Sequence, residues 1–167
     1  MNGDWDAEVE AFKATAHVEA SEDVPPFYPY SGTEAERNVI SRIDEYLFLT
    51  NFRGVEKKEE MKELGLTHVV NVNGGVEDNS HDDGSFVYFN IDNVSDDEEE
   101  ALKLKAHFDA ANAFIDEAVA GGGKVVVHCA AGCSRSTTIV LAYLMHHGGI
   151  SLLDAFKRVY EGRRMIW

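Results

Sequence analysis

The apolar positions of the chain change period several times, and each change predicts an element. Tyr46 to Leu49 is a short apolar run and reads as a strand. Glu56 to Leu64 mixes charged and apolar positions as a helix does and runs into Gly65, a residue suited to the left-handed turn that closes a helix. His68 to Val72 reads as a buried β-branched strand, and NGGVEDNSHDDGS, from Asn73 to Ser85, as a polar, turn-rich loop. Phe86 to Ile91 is the next strand. Leu104, Phe108, Ala111, Ile115 and Ala118 then recur at helical spacing, one face of a helix closed by Gly121 to Gly123. Lys124 to His128 is an apolar strand suited to the centre of a sheet, and Val140, Tyr143, Leu144 and His147 give the helix after it a buried stripe. Ser151 with Asp154 makes a capping-box-like start to a last helix that ends at Gly162.

Strands alternating with helices predict an α/β fold, a central, mostly parallel twisted sheet of about four to five strands flanked by helices. Residues 1 to 40 stand apart from this pattern. They are acidic, carry Pro25, Pro26 and Pro29, and show little period beyond a short helical stretch over Ala7 to Ala16. They read as a loosely attached N-terminal segment ahead of one domain, residues 41–167.

With 167 residues, 44% of them hydrophobic, the chain is long enough to bury a core without disulfides or metals. Its two cysteines, Cys129 and Cys133, lie too close together for a disulfide framework, which favours a reducing compartment. MNGDWDAEVEAF lacks the basic and apolar regions of a signal peptide, and no apolar run approaches the length of a membrane span. The expected location is the cytoplasm, with the nucleus as the alternative. Thirty acidic residues against fifteen Lys and Arg leave a formal charge of −15, which argues against nucleic acid and anionic membranes as partners.

Against that charge, VHCAAGCSRSTT, from Val127 to Thr138, is an anomaly. A strand ending at His128 and a helix starting near Arg135 leave Cys129 to Ser134 to turn at the C-terminal edge of the sheet, where open α/β folds bind ligands. Backbone N–H groups in such a turn, with the positive end of the helix, form an anion nest. Gly132 permits the tight geometry, and Ala130, Ala131 and Ser134 are small enough for the backbone to come close. Cys129 places a thiol among those donors, where its anion is favoured as a nucleophile. The planar fork of Arg135 suits two oxygens of a phosphoryl group, and Ser136 has a hydroxyl to offer the sulfur. His128 fits orienting and polarising the loop, and the buried His147 fits a structural place. Cys133 reads as a small loop residue, with oxidative pairing to Cys129 as the lesser alternative.

VHCAAGCSRSTT resembles the His-Cys-x-x-Gly-x-x-Arg-Ser/Thr pattern of cysteine-dependent protein phosphatases, and its Ala-Gly-x-Ser-Arg-Ser-x-Thr wording resembles the dual-specificity phosphatases in particular. The resemblance runs from about Ile43 to Ile166, through EYLFLTN, LGLTHVVNVN, HFDAANAFIDEAV, AYLM and LLDAFKRV. It implies that Cys129 attacks phosphorus to give a phosphocysteine. Arg135 then binds the phosphoryl group, residues Ala130 to Ser134 line its site, and water hydrolyses the intermediate. It implies no metal and no cofactor. The family usually continues past RRMIW into a turn and a closing helix.

A leaving alkoxide or phenoxide needs a proton, which the family takes from an Asp on a loop before the helix that here contains His107 and Phe108. NIDNVSDDEEEALKLKAHF offers Asp92, Asp96 and Asp97, and is slightly longer than the family pattern. The wording Val94-Ser95-Asp96 favours Asp96. Ser95 to Glu98 also reads as a capping box, so three or four of the five acids of DDEEE, Asp96 to Glu100, have a structural explanation as well.

Ala130 and Ala131 sit where relatives acting on inositol lipids or RNA ends resemble one another in carrying basic residues. The resemblance is therefore to a small, atypical dual-specificity enzyme acting on phosphotyrosine and phosphoserine or phosphothreonine in proteins, with basic flanking residues suited to the acidic chain. A phosphate-binding module without turnover, and a phosphatase of a lipid, RNA end or carbohydrate, remain the alternatives.

Overall fold

The computed structural model describes residues 33–75, 79–95 and 103–166. Its elements, in chain order, are α1 (Glu34–Arg37), β1 (Ser41–Arg42), β2 (Leu47–Asn51), α2 (Phe52–Val55), α3 (Lys58–Glu63), β3 (His68–Asn71), β4 (Val87–Asn90), α4 (Phe108–Ala120), β5 (Val125–Cys129), α5 (Arg135–Gly148) and α6 (Leu152–Gly162). The five strands form one sheet in the order β1-β2-β5-β3-β4, parallel throughout except for β1, which pairs antiparallel with β2. The mostly parallel α/β sheet expected from the alternation is therefore present.

The sheet is covered on both faces, which explains why β2 and β5 are buried at every position. Alternate side chains of β5 go to opposite cores. Val125, Val127 and Cys129 join the larger core with Leu47, Leu49, Ile115, Ile139, Val140 and Tyr143. Val126 joins the smaller one with Phe48, Val55, Met61, Leu66 and Val69. Each buried valine contributes about 1.5–3 kcal/mol by leaving water, so β5 is firmly anchored in both cores.

Several elements start one or two residues from their expected place. β2 runs on to Asn51, and the Asn51 carboxamide oxygen then accepts from Gly54 N–H at 2.9 Å to start the short α2, which no apolar period announces. α3 is shorter than expected and ends, as expected, at Gly65, whose φ is +75°. Ser151 caps α6 by accepting from Asp154 N–H at 3.2 Å.

One expectation fails. His147 is exposed, and the buried stripe of α5 ends with Leu144, because His146 to Gly149 all face solvent. Helical spacing fixes the direction of a side chain, not where the packed neighbour ends. The His147 ring stacks on Tyr143 at 5.3 Å between centroids and pairs through Nδ1 with Asp116 at 3.2 Å.

Residues ahead of β1 are fastened to the sheet as well. Ile40 is buried, Asn51 Nδ2 donates to Asn38 Oδ1 at 2.8 Å, and Thr50 Oγ1 donates to the Val39 carbonyl at 2.9 Å. The helical stretch expected over Ala7 to Ala16 lies outside the described residues.

Candidate active site

Three parallel strands end at one level. Asn51 of β2 is in register with Cys129, and Asn71 of β3 with His128. The loop 130–134 therefore leaves the sheet with a strand end on either side of it. α5 begins at Arg135 after Ser134, whose own side chain makes no capping bond, so the first-turn N–H groups are not taken up by a side-chain cap there.

Cys129 is buried at the foot of the loop, and its sulfur is the acceptor of two short hydrogen bonds. Gly132 N–H donates to Sγ at 3.2 Å, and Ser136 Oγ donates to it at 3.2 Å. Gly132 has φ +68°, and a Cβ there would lie 2.5 Å from the Thr50 carbonyl oxygen and 2.7 Å from Asn51 N. Only glycine fits both the left-handed backbone and that approach. Phe52 N–H also donates to the Ala130 carbonyl at 3.4 Å, which links the loop to α2.

Arg135 is half-buried. Its Nη1 donates to the carbonyls of Val72 at 3.3 Å and Val94 at 3.0 Å, while its Nε is buried with no hydrogen-bond partner among the described residues. The guanidinium is thus oriented by two carbonyls that hold Nη1, while Nε has none among the described residues.

His128 points to the opposite core and lines a polar cleft with Phe52, Glu56, Asn73, Asn79, Ser80 and His81. Burial pushes its pKa down to about 4, against a smaller upward pull from the Cys129 backbone. It is neutral at physiological pH, and neither ring nitrogen has a hydrogen-bond partner among the described residues.

Of the three candidate acids, Asp92 is exposed, whereas Asp96 and Asp97 lie outside the described residues. The described chain nevertheless reaches Arg135 just ahead of them, since the Val94 carbonyl is one of the two that its Nη1 bonds. Among the described residues no cluster of three or more His, Cys, Asp or Glu is placed to hold a metal ion. No helix of the described residues is long and apolar enough to cross a membrane.

The structure adds residues that local sequence patterns do not reveal. Arg163, at the end of α6, is buried and donates through Nε to the Gly132 carbonyl at 2.7 Å. The same side chain bonds Val39 O at 3.2 Å, Ser41 Oγ at 3.3 Å and Arg37 O at 3.0 Å. Asn51 and Thr50 complete the frame around Gly132. Beside the loop, a cleft of about 500 Å³ is lined by Ala130, Ala131, Phe52, Arg37, Arg53 and Met165, among others.

A buried cysteine whose sulfur accepts from a loop N–H and from a serine hydroxyl, with an arginine six positions on at the end of a parallel sheet, fits the pattern of the cysteine-dependent phosphatases. The family model described as the dual specificity phosphatase catalytic domain matches residues 47–167, and the chain belongs to that family. Dual specificity protein phosphatase 1 of Arabidopsis thaliana is 38% identical over 131 residues, a match covering 78% of this chain and 64% of that protein. The chain thus spans just under two thirds of that relative's length. The solved structure of a mouse putative dual specificity phosphatase complexed with zinc tungstate has a TM-score of 0.71 at 31% identity, over 83% of this chain and 84% of that one. A human tyrosine phosphatase-like serine/threonine/tyrosine-interacting protein has a TM-score of 0.69 at 32% identity, over 77% of this chain and 86% of its own.

Proposed function

We propose that this domain hydrolyses phosphate monoesters on phosphotyrosine and phosphoserine or phosphothreonine residues of proteins. The observation that carries the reading is the pair of hydrogen bonds, each 3.2 Å, that converge on the Cys129 sulfur. Donors aimed at sulfur favour its anion as nucleophile and, later, as leaving group.

In the first step Cys129 Sγ attacks phosphorus, the P–O ester bond breaks, and the departing oxygen takes a proton from a carboxylic acid. Asp96 is the assigned donor, with Asp97 and Asp92 as alternatives. Arg135 holds two non-bridging oxygens through Nε and Nη2, the nitrogens that the Val72 and Val94 carbonyls do not take, and the loop 130–134 supplies N–H groups to the phosphoryl group as well. In the second step water attacks the phosphocysteine and gives a proton to the carboxylate left by the first step, the S–P bond breaks, and the hydrogen bond from Ser136 stabilises the thiolate that leaves. Inorganic phosphate is released. His128, neutral and buried beneath the loop, shapes the site rather than exchanging protons.

The formal charge of −15 favours substrates with basic flanking residues by long-range attraction. The presence of both Cys129 and Arg135 favours turnover over a phosphate-binding module.

The test is hydrolysis of an aryl phosphate by the full chain and by its Cys129→Ser variant, with mass spectrometry of the acid-quenched enzyme. Turnover and a phosphate adduct on Cys129, both lost in the variant, are expected. An inactive wild-type protein that still binds phosphate would support the binding module. Phosphopeptides with basic and acidic flanks, inositol phosphates and RNA ends, compared at equal concentration, decide the substrate class.

A further inference from the structure

The geometry points to Arg163 as a positioning residue for the phosphoryl-binding loop, one that makes the loop's shape depend on residues 37–41. This rests on the phosphatase reading above. Gly132 is gripped from two directions. On one side the Thr50 carbonyl oxygen and Asn51 N lie so near that a Cβ would approach within 2.5 and 2.7 Å of them. On the other, Arg163 Nε pulls on the Gly132 carbonyl at 2.7 Å. Between them, these contacts set the orientation in which Gly132 N–H meets the Cys129 sulfur. Without the arginine bond, a residue at φ +68° has one neighbour to lean on and no tether holding it there.

The other arm of the guanidinium explains the connection to the start of the domain. Nη1 and Nη2 donate to Val39 O, Ser41 Oγ and Arg37 O, so a single planar fork ties the loop to residues 37–41, from the end of α1 to the start of β1. The same stretch is bonded by Thr50 and Asn51, the two residues that approach Gly132 from the sheet. A lysine offers a point charge and cannot span these directions at once.

The charge has a second consequence. Arg163 is 3% exposed, and the hydrogen-bond partners found for it among the described residues are carbonyls and a hydroxyl, with no carboxylate. Burying a cation in this way is costly. Burial draws its pKa down, and the neighbouring Cys133 and Cys129 oppose that pull. Coulomb interactions are mutual, so the same guanidinium favours negative charge in the loop, whether on sulfur or on a bound oxyanion.

The experiment compares full-length wild type, Arg163→Lys and Arg163→Met after urea titration has fixed conditions in which each is folded. Three readouts are taken: affinity for orthovanadate, kcat and KM for an aryl phosphate, and the rate of Cys129 alkylation by anionic iodoacetate relative to neutral iodoacetamide. In both variants vanadate affinity and kcat fall by roughly tenfold to a hundredfold, and the preference for iodoacetate shrinks. A merely structural arginine would lower the urea midpoint and leave the folded protein's vanadate affinity and reagent preference at wild-type values, which overturns the proposal. Should neither variant fold, the Arg163 Nε–H resonance of wild-type protein is followed by NMR during vanadate titration. It shifts if Arg163 supports the anion-binding loop, and no movement overturns the inference. If wild type neither binds vanadate nor turns over the aryl phosphate, the phosphatase reading fails first.

Discussion

Ser136 Oγ donates to the Cys129 sulfur across 3.2 Å from the first turn of α5, so the helix that follows the loop also supplies a donor to the sulfur proposed above as nucleophile. The bond matters most when sulfur departs from phosphorus. Ser136→Ala is expected to lower kcat by roughly tenfold to a hundredfold, the worth of a hydrogen bond to a charged group. Rapid-quench kinetics should then show a burst of aryl alcohol followed by slow turnover, with phosphocysteine accumulating.

Gly132→Ala should be far more harmful than a methyl group suggests. The backbone at φ +68° and the 2.5 Å approach to Thr50 O act together. A loss of about 2 to 4 kcal/mol is expected from strain and overpacking. Urea denaturation measures it, and vanadate affinity should fall in parallel.

His128 makes stability depend on pH in a defined window. Its pKa is about 4 in the fold, lowered from 6.5 chiefly by burial, so between those values the unfolded chain binds more protons than the folded one. Stability from this group is complete above about pH 6.5 and is lost as pH falls towards 4, by about 3 kcal/mol over the window. Unfolding free energies of wild type and His128→Asn, measured at pH 7 and pH 4.5, should differ more between the two pH values in wild type than in the variant.

Asp96→Asn should separate substrates by leaving group. An alkyl phosphate needs the proton and should lose about 10² to 10⁴ in kcat/KM, while an aryl phosphate with a good leaving group should lose much less. Equal, small effects on both would move the role to Asp97 or Asp92, whose Asn variants are assayed alongside.

Tyr143→Phe probes the packing of α4 on α5 away from the chemistry. Tyr143 donates to Asp116 Oδ1 at 2.9 Å, and burial with the neighbouring carboxylate raises the phenol's pKa. Loss of the hydroxyl should cost about 1 kcal/mol in urea titration and leave kcat/KM for the aryl phosphate unchanged.

Much of the sheet was legible because β-branched runs such as Val69–Val70 and Val125–Val127 have few other places to go than a strand covered on both faces. The turn from Cys129 into α5 was legible because it is contiguous, between an apolar strand and an amphipathic helix. β1 was not, since Ser41 and Arg42 form too short a strand to show a period. α2 was missed because its start depends on the Asn51 cap rather than on an apolar stripe. Arg163 had no local signal at all. Its role rests on a contact with Gly132 across 31 positions of chain, which only the packing of α6 brings together. His147 failed for the converse reason: a correct spacing extended past the end of what it packs on.

The place of β5 between two parallel neighbours has a consequence for how Cys129 is protected. The strand that carries the sulfur pairs on both sides, through Leu47 to Asn51 and through His68 to Asn71. Such strands open only with the whole domain, and their amides are among the last to exchange with solvent. Oxidants therefore meet the thiol through the mouth of its own loop and not through breathing of the sheet beneath it, and on the phosphatase reading proposed above an oxyanion held in that loop would also shield the cysteine.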